Sequence, residues 1–153
     1  AGWVGAAPAQ GFVRLPHALE HSLERLDVAD GTIALPTRGP PLALTLLRVG
    51  AGPGNEGSRA LEVRWRGQRL LLTGDAEERG LVELPLDPGP LRLLVAPHHG
   101  SDVPGLGPFL ALHPPAEVWI SSGERPAIAD ELERRGLAWS WTGRDGPLAL
   151  ELR

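Results

Sequence analysis

The chain has no cysteine, methionine, tyrosine or lysine, and Asn55 is its only asparagine. Without cysteine there are no disulfides and no thiolate metal sites, a composition compatible with either side of a membrane. The scarcity of thermolabile residues points to a heat-adapted source, and a GC-rich genome would leave the same bias. A native start needs methionine, so a chain beginning at Ala1 is expected to be a processed chain or an excised fragment. Apolar runs such as Leu42–Leu47 are far too short to span a bilayer, and no signal peptide is visible. Nineteen acidic residues outweigh fifteen arginines, for a net charge of −4. Strong general attraction to nucleic acid is therefore not expected of this piece alone.

The 153 residues suffice for one domain with a real core, and we expect a single domain over 1–153. Twenty glycines and sixteen prolines give a heavy load of turns. Leu15–Leu26 has helical spacing, and Thr32–Leu35 and Leu42–Val49 read as short strands. Gly50–Ser58 reads as a loop. "RALEVRWR" alternates, with Leu61, Val63 and Trp65 on one face and Glu62, Arg64 and Arg66 on the other. Gly67-Gln68 is expected to turn the chain into "RLLLTGD". That second strand is apolar on both faces at Leu70–Leu72, as a central strand should be. Further along, Ala76–Leu84, Leu106–His113 and Pro126–Arg135 read as helices, and Leu91–Ala96 and Glu117–Ser121 as strands. "LAWSWT" and "PLALELR" are expected to close the chain as a hairpin. Helices alternating with strands give an α/β (α+β) layering. Leu61, Val63, Trp65, Leu71, Leu93, Val95, Val118 and Ile120 are expected to be mostly buried.

Two strands end in chemistry. "LLLTGD" delivers Asp75 and "LLVAPHHGSD" delivers His98 and His99. Ligand sites collect at strand ends in sheets of this kind. Carboxylate and imidazole suit zinc, manganese or iron, and an aspartate can bridge two metals. Asp75 also reads as a helix N-cap, a role compatible with the first. His98-His99 also reads as a plain turn with one histidine packed and one exposed. In an extended segment neighbouring side chains point opposite ways, so at most one of the two should face a given metal. The other would pack or hydrogen-bond behind it.

Taken together, Asn55 and Ser58, Thr73-Gly74-Asp75, His98-His99-Gly100-Ser101 and "VWISSG" form a spaced series. The series resembles the metallo-β-lactamase-like domain of the ComEC-type DNA-internalisation competence proteins. The resemblance runs from about Leu42 to the C-terminus. It implies an αββα sandwich, here lacking part of its N-terminal half, with one or two divalent metals (zinc or manganese) at the sheet edge. It also implies a metal-dependent nuclease that degrades the DNA strand not taken up, attached to the outer face of the bacterial cytoplasmic membrane through its parent protein. The implied partners are single-stranded DNA and the membrane channel of that parent. Asp75 would be the bridging ligand, His98 or His99 would bind the second metal, and His99 is favoured because it directly precedes glycine. Asp75 and His99 would then be the catalytic pair. Metal-bound hydroxide would attack the phosphodiester.

The sequence also departs from that family. Its principal H-x-H-x-D-H motif is missing. "AGWVGAAPA" looks like the stretch that follows the motif, with Gly2 and Trp3 where aspartate and histidine belong. Either the chain holds only the second half of the sandwich or the metal site has decayed. "GERPAIADEL" carries Glu124, Arg125 and Pro126 where the family often has asparagine and His-Pro. Arg125 reads as a solvated helix-start residue, with phosphate contact as the alternative. A rival reading is a metal-free module of the same fold that binds or guides DNA or braces the channel. A third, a small-molecule esterase or lactonase of the same superfamily, fits the His-His-Gly-Ser stretch less well. Elsewhere, His17 and His21 share a helix face but have no third ligand. His113 reads as a helix-end residue whose charged form suits the dipole. Arg64, Arg66 and Arg69 read as a solvated strand face.

Overall fold

A computed structural model describes residues 31–35, 39–49 and 54–151. The Leu15–Leu26 helix, the His17/His21 pair, Gly2, Trp3 and positions 50–53 lie outside the described residues. Seven strands form one mixed sheet in chain order: β1 Gly31–Leu35, β2 Leu42–Arg48, β3 Arg59–Trp65, β4 Gln68–Leu72, β5 Leu93–Val95, β6 Glu117–Ile120 and β7 Ala138–Trp141. Strands β1 to β4 pair antiparallel and β4 to β7 pair parallel. Helices α1 Glu78–Val82, α2 Leu106–Leu112 and α3 Ala129–Arg134 fill the crossovers between the parallel strands, and the single turn α4 Thr142–Asp145 follows β7.

Strand β4 is central, as its two-sided apolar character predicts. It pairs with β3 through the register Leu61↔Leu72 to Trp65↔Gln68 and with β5 through Leu70↔Leu93 to Leu72↔Val95. The turn after β3 falls one residue earlier than the expected Gly67-Gln68. Arg66 and Gly67, both at positive φ (48° and 77°), make a two-residue hairpin turn, the twist that suits right-handed strands. Arg66 tolerates it with its guanidinium 4.5 Å over the Trp65 ring.

The helices cover one face of the sheet. Leu47, Ala60, Leu71, Leu94, Val118 and Ile120 project from it into the main core and meet Leu81, Phe109, Leu110 and Leu132 from the helices. Leu71, Leu93, Val118 and Ile120 are buried, and Leu61, Val63, Trp65 and Val95 are partly buried. They lie on the opposite face, and β3 turns Ala60 and Glu62 toward the helices. Alternation separates two faces without saying which one the helices choose.

Glu62 is tolerated there because it is neutralised. Its two carboxylate oxygens take Arg64 Nε and Arg69 Nε, each at 2.9 Å, which meets the requirement that a buried charge be paired and hydrogen-bonded. Both arginines are engaged by a buried carboxylate; Arg64 and Arg66 are exposed, as the solvated reading has it, while Arg69 is not, a correction to that reading.

The chain end is corrected as well. Strand β7 lies parallel to β6 (Glu117↔Ala138 to Ile120↔Trp141) instead of opening a hairpin, and no strand follows α4 among the described residues. Trp139 and Trp141 stack at 5.1 Å and pack against the core, which fixes β7 in that place.

His113 caps the end of α2, as expected, but in surroundings that disfavour its charged form. It is buried against Phe109 (ring centroids 4.7 Å), and its Nδ1 has no hydrogen-bond partner. Burial pushes its pKa down, helped by the Arg69 charge and opposed by the Gly89 backbone and Glu62. The fold therefore favours neutral His113, and the unfolded chain binds the proton more readily. Stability is fully present above about pH 6.5 and is lost as pH falls through that value, by at most about 1.4 kcal/mol per pH unit. Wild type should lose stability relative to His113→Leu between pH 7 and 5 in urea titrations; parallel curves would contradict this.

Candidate metal site at the carboxyl ends of the parallel strands

Four neighbouring parallel strands end at one edge of the sheet, the place where open α/β sheets bind ligands. Beyond β4 comes Thr73-Gly74-Asp75, beyond β5 His98-His99, beyond β6 Ser121-Ser122 and beyond β7 Thr142.

The turn after β4 is fixed from both sides. Thr73 is fully buried and its hydroxyl donates to the Val95 carbonyl at 2.8 Å, tying β4 to β5. Gly74 has φ +57°, and a Cβ there would lie 2.8 Å from the Arg59 carbonyl oxygen, so backbone conformation and space both require glycine. Asp75 does not cap α1, a correction to that reading. The helix starts at Glu78, its N-cap is Glu77, and no side chain bonds the freed N–H groups. The Asp75 carboxylate is left facing out.

The segment after β5 is not extended. His98 (φ 45°, ψ 48°), His99 (φ 56°, ψ 26°) and Gly100 (φ 77°) form three consecutive left-handed residues. For the two histidines this costs about 1–2 kcal/mol each. Backbone bonds hold the turn: His98 N–H donates to Gly74 (3.0 Å), Ser101 N–H to His98 (3.0 Å) and Ile128 N–H to Gly100 (3.1 Å). The opposite-sides expectation for an extended pair gives way to a turn that aims each ring at a different carboxylate. His98 Nδ1 lies 3.8 Å from Glu77 Oε1, and His99 Nε2 lies 3.6 Å from Asp75 Oδ1. Asn55, the only asparagine, donates to Glu77 Oε1 at 3.1 Å and holds that carboxylate in place.

The far side of the His99 ring decides its chemistry. Its Nδ1 lies 3.0 Å from the Ser121 carbonyl oxygen. A carbonyl only accepts, so Nδ1 carries the proton and donates it. In the neutral ring the Nε2 lone pair then faces the Asp75 carboxylate. The two acceptors, 3.6 Å apart, face one point that a cation can occupy. Two ligands bound at about 2.0–2.2 Å in tetrahedral geometry are about 3.3–3.6 Å apart. The separation fits a shared ion, and a histidine whose other nitrogen donates to a backbone carbonyl is the usual form of a metal-binding imidazole. His99 and Asp75 side chains are 66% and 50% exposed, so as an ion pair alone they contribute at most about 1 kcal/mol.

Among the described residues no group of three or more His, Asp or Glu side chains converges on one point. The site is two pairs, Asp75–His99 and Glu77–His98. Beside them Glu77, Glu78, His98, Ser101, Asp102 and Val103 line an acidic cleft of about 360 Å³. Ser58 closes the loop before β3, its carbonyl accepting from Val49 N–H at 3.0 Å. Arg125 is engaged by Asp130 (2.7 Å) and Glu133 (3.2 Å). Sequence reasoning missed Glu77, which reads as an ordinary helix-start acid in "GDAEE", and the Ser121 carbonyl, a backbone group without a sequence signal.

No family model matches the chain, and no curated protein is similar to it in sequence.

Proposed function

We propose that this chain is the carboxyl-terminal part of a metallo-β-lactamase-like hydrolase domain of the ComEC type. Asp75 and His99 form one half of a divalent metal centre, for zinc or manganese, that cleaves the phosphodiester backbone of the DNA strand not taken up. The observation that carries this is the 3.6 Å approach of Asp75 Oδ1 and His99 Nε2, with Nδ1–H committed to Ser121. When bound, the metal would lower the pKa of a coordinated water toward about 7. The chain's own part is to hold a carboxylate and a lone pair toward one point, backed by the Glu77–His98 pair at the same edge.

The second sheet face supports the sandwich reading. Leu44, Leu46, Leu61, Val63, Trp65 and Trp119 are half-buried on it, Leu70 and Leu93 are buried there outside the main core, and Leu72 is 37% exposed. Such an apolar face suits burial against another layer. Membrane attachment belongs to the same reading and would come from the parent protein; no helix among the described residues is long and apolar enough to cross a membrane.

The metal-free alternative, a module that binds or guides DNA, suits this edge less well. Glu77, Glu78 and Asp102 face the cleft, and carboxylates repel phosphate unless a cation intervenes.

Two ligands fall short of the three plus water that a catalytic zinc usually has. The 153-residue chain alone is therefore expected to lose metal on gel filtration and to leave DNA uncut in added manganese or zinc. Stoichiometric metal after gel filtration, with cleavage abolished by Asp75→Ala, would show instead that the centre is complete.

A further inference from the structure

We propose that Thr142 is a positioning residue for His99, acting through the backbone of the loop after β6. The inference rests on the reading of Asp75 and His99 as a metal pair, and it names what sets the orientation of that pair.

The His99 tautomer depends on one carbonyl, that of Ser121. Ser121 is exposed and lies in the irregular segment that follows β6. Its position is set by its neighbour. Ser122 N–H donates to Thr142 Oγ1 at 3.0 Å, and the Thr142 hydroxyl donates to the Ser122 carbonyl at 3.0 Å. One hydroxyl thus satisfies both polar groups of one peptide residue. The Ser122 hydroxyl bonds onward to the Glu124 carbonyl at 2.8 Å, so the loop is braced internally as well.

A second, independent contact joins the same two segments. A Cβ at Gly143 would run into the Gly123 carbonyl group, 2.7 Å from its carbon. The α4 backbone is therefore seated directly on the loop, and a side chain at position 143 has no room. Thr142 is exposed and outside the hydrophobic core, so changing it does not remove core packing. Its own hydroxyl is the link between α4 and the carbonyl that orients His99.

The test uses the 153-residue chain with Thr142→Val, Thr142→Ser and Gly143→Ala, with folding checked by near-ultraviolet circular dichroism. Nitrogen-15 NMR of the metal-free protein reads the His99 tautomer directly. Wild type and Thr142→Ser should show the Nδ1–H form. Thr142→Val and Gly143→Ala should show a mixture of tautomers. Zinc affinity followed by calorimetry should fall in Thr142→Val, by less than the roughly 10- to 100-fold cost of losing the outer partner itself, and recover in Thr142→Ser. An unchanged Nδ1–H tautomer in folded Thr142→Val would overturn the proposal. The tautomer is read without metal, so failure of the Thr142 link and failure of the metal pair give different results.

Discussion

Gly100→Ala is expected to destabilise the chain by about 3 kcal/mol. Gly100 ends the left-handed run at φ 77°, which costs an L-residue about 1–2 kcal/mol. A Cβ there would also meet Ile120 Cγ2 at 2.6 Å and Pro126 Cβ at 2.8 Å. Ile120 is fully buried and Pro126 is buried, so neither gives way cheaply, and overpacking of this kind typically costs a further 1–3 kcal/mol, roughly. The Gly100 carbonyl also receives Ile128 N–H just before α3, so displacement of the turn loosens that crossover. In a chain of this size the loss corresponds to a melting point lower by about 6–12 °C. Urea unfolding checks it; a change within about 0.5 kcal/mol, the range of ordinary surface substitutions, would show that the turn is not held as described.

Asp75→Ala should do the opposite, leaving the fold intact and removing metal binding. Asp75 caps no helix, and its side chain is half exposed. Its ion pair contributes about 1 kcal/mol at most. As one of two ligands, however, its loss should weaken metal binding by more than the roughly 10–100-fold that loss of an outer partner costs. Asp75→Asn separates charge from shape. It keeps one neutral oxygen, and binding should fall nearly as far, because the lost negative charge is what balanced the cation. Calorimetry with zinc beside thermal melts of the same variants reads both quantities. A variant that binds zinc as wild type does would remove Asp75 from the site.

Much of the sheet was legible because its signals are local. Leu70–Leu72 is apolar on both faces and is the central strand. Leu71, Val118 and Ile120 sit in short apolar runs and are fully buried. The face of β3 was not legible in the same way. Leu61, Val63 and Trp65 form its apolar side, yet the helices cover Ala60 and Glu62. What permits this is Arg69, seven residues away and in register with Arg64 across the hairpin. That neutralisation is tertiary, and alternation alone does not report it. His113 shows the same limit. Its place at a helix end was readable, but its burial against Phe109, which lowers its pKa, was not.

The site divides along a similar line. Asp75 and His99 were visible as side chains at strand ends, and they approach to 3.6 Å. The device that aims them was not visible. Two histidines at positive φ have no sequence signature except the glycine that follows them. The group that orients His99 is the Ser121 backbone carbonyl on another strand's end, next to Ser122, whose N–H and carbonyl both bond to the Thr142 hydroxyl.

The central claim is that Asp75 and His99 share one divalent cation through His99 Nε2. Its most direct test is a zinc titration of the 153-residue chain followed by imidazole nitrogen-15 NMR. The account predicts that His99 Nε2 moves to the shift of a metal-bound nitrogen while Nδ1 keeps its proton, that the buried His113 is unaffected, and that Asp75→Ala abolishes the change. A response at Nδ1 of His99, or a zinc-bound histidine elsewhere with His99 unchanged, would contradict it.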